Sequence, residues 1–75
     1  MPTLREVRVR RLLSMRQLAK QAGLAPTTVY LVEAGRRLPQ PGTIGKLAAV
    51  LGVAPEEVDE FRAAMDAALE GKDAA

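Results

Sequence analysis

Apolar residues recur along this chain at helical spacing, in five runs that each start at a capping residue or proline, and four of them stop at a glycine. No four-residue stretch alternates as a half-buried strand bounded by turns would. The first run opens at Thr3, where Thr3-x-x-Glu6 is a capping box: hydroxyl and carboxylate each satisfy the other residue's backbone amide. Leu4, Val7 and Arg8 then share one face, which continues towards Leu12. Ser14-x-x-Gln17 is a second box and starts helix 2, with Leu18, Ala19 and Ala22 on its inward side. Gly23 supplies the following turn, because glycine adopts positive φ at little cost, and Leu24 enters the core.

Helix 3 runs from Pro26 to about Ala34. Its first position suits proline, whose missing amide would be unpaired there anyway. It buries Val29 and Val32 and ends at Gly35, and Arg36 to Gln40 form a loop. Pro41 opens helix 4, which buries Ile44, Leu47, Ala48 and Leu51 and stops at Gly52. Gly42 and Gly45 weaken that helix by roughly 1 kcal/mol each relative to alanine. Helix 5 is expected over residues 55–70, with Glu56, Glu57 and Asp59 favoured near its start by the helix dipole. Its apolar stripe is Val58, Phe61, Met65 and Leu69. Gly71 closes it, leaving 72–75 as a frayed tail. Residues 1–71 thus make one all-α domain.

Composition removes several classes of function. With no cysteine and no histidine, the chain lacks disulfides, thiolate metal sites and the commonest ligand and proton carrier of zinc, haem and general-base chemistry. No nucleophile–base pair or metal cluster can be assembled from the acids that remain, so neither an enzyme nor a cofactor is expected. No apolar run approaches a membrane span or a signal-peptide core, which makes a cytoplasmic protein the expectation. One Tyr and one Phe are too few for a platform that stacks single-stranded bases.

The net charge of +2 hides a division. Residues 1–53 carry nine basic side chains against two acids, whereas residues 54–75 carry two basic against seven acidic. A polyanion-binding body with an acidic tail has this pattern, and so does a protein with many solvated arginines.

The ordered motifs separate those alternatives. Leu4-Arg5-x-Val7-Arg8, Leu13-Ser14-x-x-x-Leu18-Ala19, Ala22-Gly23-Leu24, Val29-x-x-Val32-Glu33-x-Gly35-Arg36-Arg37-x-Pro39 and Leu47-Ala48-x-x-Leu51-Gly52-Val53 follow one another at fixed spacing. Over residues 4–60 the chain resembles the Cro and phage-repressor type of helix-turn-helix domain, the xenobiotic-response-element-like regulators. The resemblance implies a compact five-helix bundle of the lambda-repressor-like kind, with the helix-turn-helix at helices 2 and 3. It also implies that Pro26 to Ala34 is a recognition helix lying in the major groove.

Carried over position by position, the resemblance puts Pro26, Thr27 and Leu31 at base edges, with Thr28 beside them. The two threonines offer hydroxyls and methyls, and Pro26 and Leu31 only apolar contacts. Phosphate contacts fall to the first turn of helix 2 (Ser14, Met15, Arg16 and Gln17), to Tyr30, and to the basic loop residues Arg36 and Arg37. Met15 stands where the family often has glutamine, and Leu12 where it commonly has the glycine ending helix 1. Glu33, an acid inside the binding segment, is implied to form an inward structural ion pair with Arg8. Met65, Ala68 and Leu69 extend past what a four-helix core needs and are possible dimer contacts.

The resulting reading is a transcriptional regulator that binds double-stranded DNA in a sequence-specific way, as a homodimer on a pseudo-palindromic site. At this length there is no room for an effector or protease domain. The alternative is a protein-interaction module, such as an antitoxin facing a toxin or an adaptor for another regulator, acting through helix 5.

Overall fold

Both capping boxes form. Thr3 Oγ1 accepts from the Glu6 amide at 3.2 Å while Glu6 Oε1 accepts from the Thr3 amide at 2.8 Å. Ser14 and Gln17 repeat the exchange at 3.0 and 2.8 Å. These boxes start α1 (Leu4–Arg10) and α2 (Met15–Ala22); α3 (Pro26–Glu33), α4 (Pro41–Leu51) and α5 (Asp59–Leu69) complete a computed structural model that describes residues 2–70. The expected helix end at Gly71 and the 72–75 tail lie outside the described residues.

The Thr3 backbone amide, and then its hydroxyl, hold the Glu6 carboxyl below the ordinary glutamate range. Folding therefore favours the ionised form. The stabilisation is present at neutral pH and is lost as pH falls through that lowered value. Glu6→Gln keeps the box without the charge, so the melting temperatures of the variant and the parent should converge as the solution is acidified.

The helix ends explain an oddity in the first turn of the chain. Gly23, Gly35 and Gly52 take φ values of 71°, 72° and 68° just past α2, α3 and α4. α1 ends the same way on a leucine: Leu12 has φ 59°, its amide donates to Val9 O, and the Leu13 amide donates to Arg8 O at 3.2 Å. That is a Schellman ending with a side chain where glycine fits best. The apolar face of α1 accordingly does not continue to Leu12, which lies beyond the helix and is 88% exposed. A left-handed conformation costs a β-carbon residue about 1–2 kcal/mol. Leu12→Gly relieves this, partly offset by glycine's freer unfolded chain. The melting temperature should rise by about 4–8 °C for about 1 kcal/mol gained.

The core is filled by Leu4, Leu18, Val29, Val32, Leu47, Leu51, Val58 and Phe61, all essentially without solvent exposure. α2 packs on both α3 and α4, α1 on α3, and α5 on α4. Ala19 and Ala22 keep the α2 surface low where its neighbours approach.

The expected helix over 55–70 is two elements. Pro55–Glu57 is a 3₁₀ turn; Val58 is extended at φ −117°, ψ 128°, and α5 begins only at Asp59. Val58 breaks the helix because its fully buried side chain has to point into the core between the turn and α5. The turn is held by the Ala54 amide, which donates to Glu57 Oε2 at 3.1 Å. The acids near the dipole of α5 are therefore Asp59 and Glu60. The register of the stripe shifts too. Ala64, not Met65, takes the third core position.

The start of α5 is tied to the start of α1. Glu60 Oε1 accepts from the Leu4 amide at 2.7 Å, and the Asp59 amide donates to Pro2 O at 2.9 Å. A carboxylate from the far end of the domain thus takes up an otherwise loose amide of α1.

Candidate nucleic-acid interface

α2 and α3 pack directly on each other across the Gly23 turn, and a pair of Schellman bonds fixes that turn: Gly23 N to Lys20 O and Leu24 N to Ala19 O. This rigid corner sets which α3 side chains face outward. Val29 and Val32 are fully buried, so the helix presents Pro26 and Thr27, both exposed, and Tyr30, half exposed. Thr28 and Leu31 are half-buried on its flanks. The outward surface is therefore narrower than four open base-edge residues, with Thr27 the exposed threonine on it.

In the first turn of α2, Ser14, Arg16 and Gln17 are exposed, whereas Met15 packs its side chain against the core. The capping box uses the Ser14 and Gln17 amides and the Gln17 side-chain oxygen. An anion at this terminus would meet the Met15 and Arg16 amides, the Arg16 guanidinium and the Gln17 side-chain NH₂. Beyond α3, the Arg36 amide donates to Leu31 O at 3.0 Å, so its backbone is held by the helix end while the Arg36 and Arg37 side chains stay exposed.

Arg8 and Glu33 meet as the sequence motifs imply. Arg8 Nε and Nη2 donate to the two Glu33 carboxylate oxygens at 2.6 and 3.1 Å, and Nη1 donates to Leu13 O at 2.8 Å. The side chains are 11% and 7% exposed. One fork thus joins α3 to α1 and to the start of α2, with every buried side-chain polar atom among the described residues satisfied.

An electrostatic pattern links these groups. Between Glu6 and Glu56 the sequence holds a single acid, Glu33, and Arg8 neutralises it. α2, α3 and α4 have no acid in their first turns, whereas α1 has Glu6 and α5 has Asp59 and Glu60. The N-termini of α3 and α4 also lack any side-chain cap. Three successive helices therefore present their positive dipole ends unopposed. Sequence reasoning passed over the α4 terminus, although Pro41 at its first position and the missing acids were there to be read. Gly42 and Gly45 are exposed, and an added β-carbon at either would meet nothing within 4 Å. Glycine at 42 leaves the α4 backbone bare for close approach.

A helix, a tight left-handed turn and a second helix with an outward polar N-terminus define a helix-turn-helix protein. The chain belongs to the helix-turn-helix domain family, whose model matches residues 3–61. An uncharacterized HTH-type transcriptional regulator of Bacillus subtilis (strain 168), RghRB, is 46% identical over 56 residues. That match covers 73% of this chain and 40% of the relative's length. No solved structure matches significantly. No helix among the described residues is long and apolar enough to cross a membrane.

Proposed function

We propose that this chain is a DNA-binding transcriptional regulator whose α3 enters the major groove of duplex DNA, acting in the cytoplasm as a homodimer on a pseudo-palindromic site. The observation that carries the reading is that α2, α3 and α4 have no acid in their first turns, that Arg16, Arg36 and Arg37 are exposed, and that the one acid between Glu6 and Glu56 is paired away. Phosphates need charge and free amides, and these termini and side chains supply both. Family membership and the printed description of the relative point the same way.

In this reading affinity comes mainly from the DNA backbone. Arg36→Ala and Arg37→Ala should weaken binding to all sequences alike and reduce the salt slope by about one unit per lost phosphate contact. Thr27 carries base discrimination. Thr27→Ala should alter preference at one base step at a cost of about 1–3 kcal/mol, with the salt slope unchanged. The deciding experiment is selection of bound duplexes from a random pool, followed by titration of selected and random duplexes at several salt concentrations. Enrichment of a symmetric motif supports the regulator. Equal binding of selected and random duplexes at physiological salt overturns sequence specificity and favours an architectural role, or a protein-interaction role through α5 with a toxin or another regulator as partner.

A further inference from the structure

A cavity of about 210 Å³ lies between α1, the connection that follows α4 and the 3₁₀ turn. Pro2, Val7 and Val53 line it with apolar surface; Arg10, Arg11 and Glu57 line it with charge. Val7 is buried, Pro2 and Val53 are half-buried, and the three charged residues are exposed, so an apolar floor lies under a charged mouth. A larger groove, where Met65, Ala68 and Leu69 of α5 face the start of α4, has Gln40 as its polar side chain. The smaller cavity is the one equipped to choose a ligand by charge.

Its charged groups are positioned without being used up. Glu57 Oε2 accepts from the Ala54 amide at 3.1 Å, which steadies the carboxylate and leaves Oε1 open. Arg11 Nη2 lies 3.8 Å from the point that a β-carbon on Gly52 would occupy, at the C-terminal end of α4. The partial negative charge of that helix end attracts a guanidinium. Arg10 stands in the last turn of α1, and its charge reaches Glu6 without a hydrogen bond. Among the described residues, neither guanidinium forms a hydrogen bond or ion pair with Glu57 or any other group. Opposite charges thus line one cavity and do not close on each other.

That combination selects by elimination. A cation or a simple amine would meet two guanidiniums, whereas phosphate or a plain carboxylate would meet Glu57 and leave the apolar floor uncovered. The volume lies below the roughly 300–1,000 Å³ of pockets for larger ligands. We propose that this cavity binds a free aliphatic α-amino acid. Its carboxylate sits between Arg10 and Arg11, its ammonium faces Glu57 Oε1, and its side chain covers Val7 and Val53. Arginine suits the first role because its planar fork matches a carboxylate. The bound molecule bridges α1 to the connection between α4 and α5 and stabilises the fold by mass action. It gives the domain an effector site of its own. None of the lining residues belongs to the DNA-binding reading, and the site stands or falls without it.

Amide NMR shifts and melting curves of the full chain, titrated with L-leucine at constant ionic strength, test this. Leucine should move the amides of Val7, Arg10, Arg11 and Val53 with a Kd of about 0.1–10 mM, weak because the contacts are few and the charges exposed. At ten times Kd the melting temperature should rise by at least about 4 °C. Isocaproate, which lacks the amine, and isoamylamine, which lacks the carboxylate, should each bind at least about fivefold more weakly. Arg10→Gln and Arg11→Gln should raise the Kd for leucine at least about fivefold. Being exposed, both should keep the unliganded melting temperature within about 4 °C of the parent's. Glu57→Gln retains an acceptor for the Ala54 amide and should bring leucine and isocaproate to similar affinity. No shift at those four amides up to about 100 mM leucine, ten times the weakest expected Kd, overturns the site. Binding indifferent to both arginine substitutions overturns it as well. A parent that binds isocaproate or inorganic phosphate as well as leucine overturns the amino-acid assignment and reduces the cavity to a simple anion contact.

Discussion

Arg8→Ala should cost about 3–5 kcal/mol of folding stability, the penalty for stranding the charge of a buried pair. A domain of this size has roughly 4–11 kcal/mol at 0.05–0.15 kcal/mol per residue, so the variant should be largely unfolded at modest temperature. The cause is local. Glu33 is only 7% exposed, and without the fork its carboxylate loses both donors while Leu13 O loses one. Arg8→Lys keeps the charge but not the planar fork and should fall between the two. Arg8→Met combined with Glu33→Leu should recover much of the loss, because no charge is then left buried. Urea unfolding of the four proteins checks this. A loss below about 1 kcal/mol in Arg8→Ala would show that Glu33 finds water or another donor instead.

Phe61→Ala should be comparably severe, at about 3–5 kcal/mol. Phe61 is the largest side chain in the core, fully buried, and the chain's only phenylalanine. Its removal leaves a cavity where α5 meets the rest of the domain, and collapse there is resisted by the neighbouring Glu60–Leu4 and Asp59–Pro2 bonds. Calorimetry should show the melting transition of Phe61→Ala lowered and broadened. Unchanged melting would mean that α5 is dispensable, contrary to the burial of Val58, Phe61 and Ala64.

Local rules made much of the fold legible. Thr3–Glu6 and Ser14–Gln17 announce two helix starts, and Gly23, Gly35 and Gly52 mark three ends, because each is decided by atoms a few residues apart. The Arg8–Glu33 pair was legible only through the family resemblance, since nothing local relates positions 25 apart. Three features resisted reading for a common reason. The break at Val58, the capping of Leu4 by Glu60 and the burial of Ala64 instead of Met65 are decided by where α5 docks, which periodicity alone does not encode. Leu12 is a different case: its side chain disfavours the left-handed conformation, and the Leu13 and Arg8 bonds around it impose that conformation regardless. At the interface, residue types identified the charged groups, whereas the half-burial of Thr28 and Leu31 emerged only from packing.

The bond from the Leu4 amide to Glu60 also imposes an order of events during synthesis. A chain leaving the ribosome from its N-terminus waits for 56 further residues before α1 meets its cap, roughly 3–11 s at ordinary elongation rates. During that interval α2 and α3 can pair, being close in sequence, but α1 has no lid and the core remains open on one side. Nascent chains stalled before residue 58 should therefore be cleaved readily by added protease, and those carrying residues 58–64 clear of the exit should resist it. Closure is the last act of folding here, and it is performed by the most acidic part of the chain.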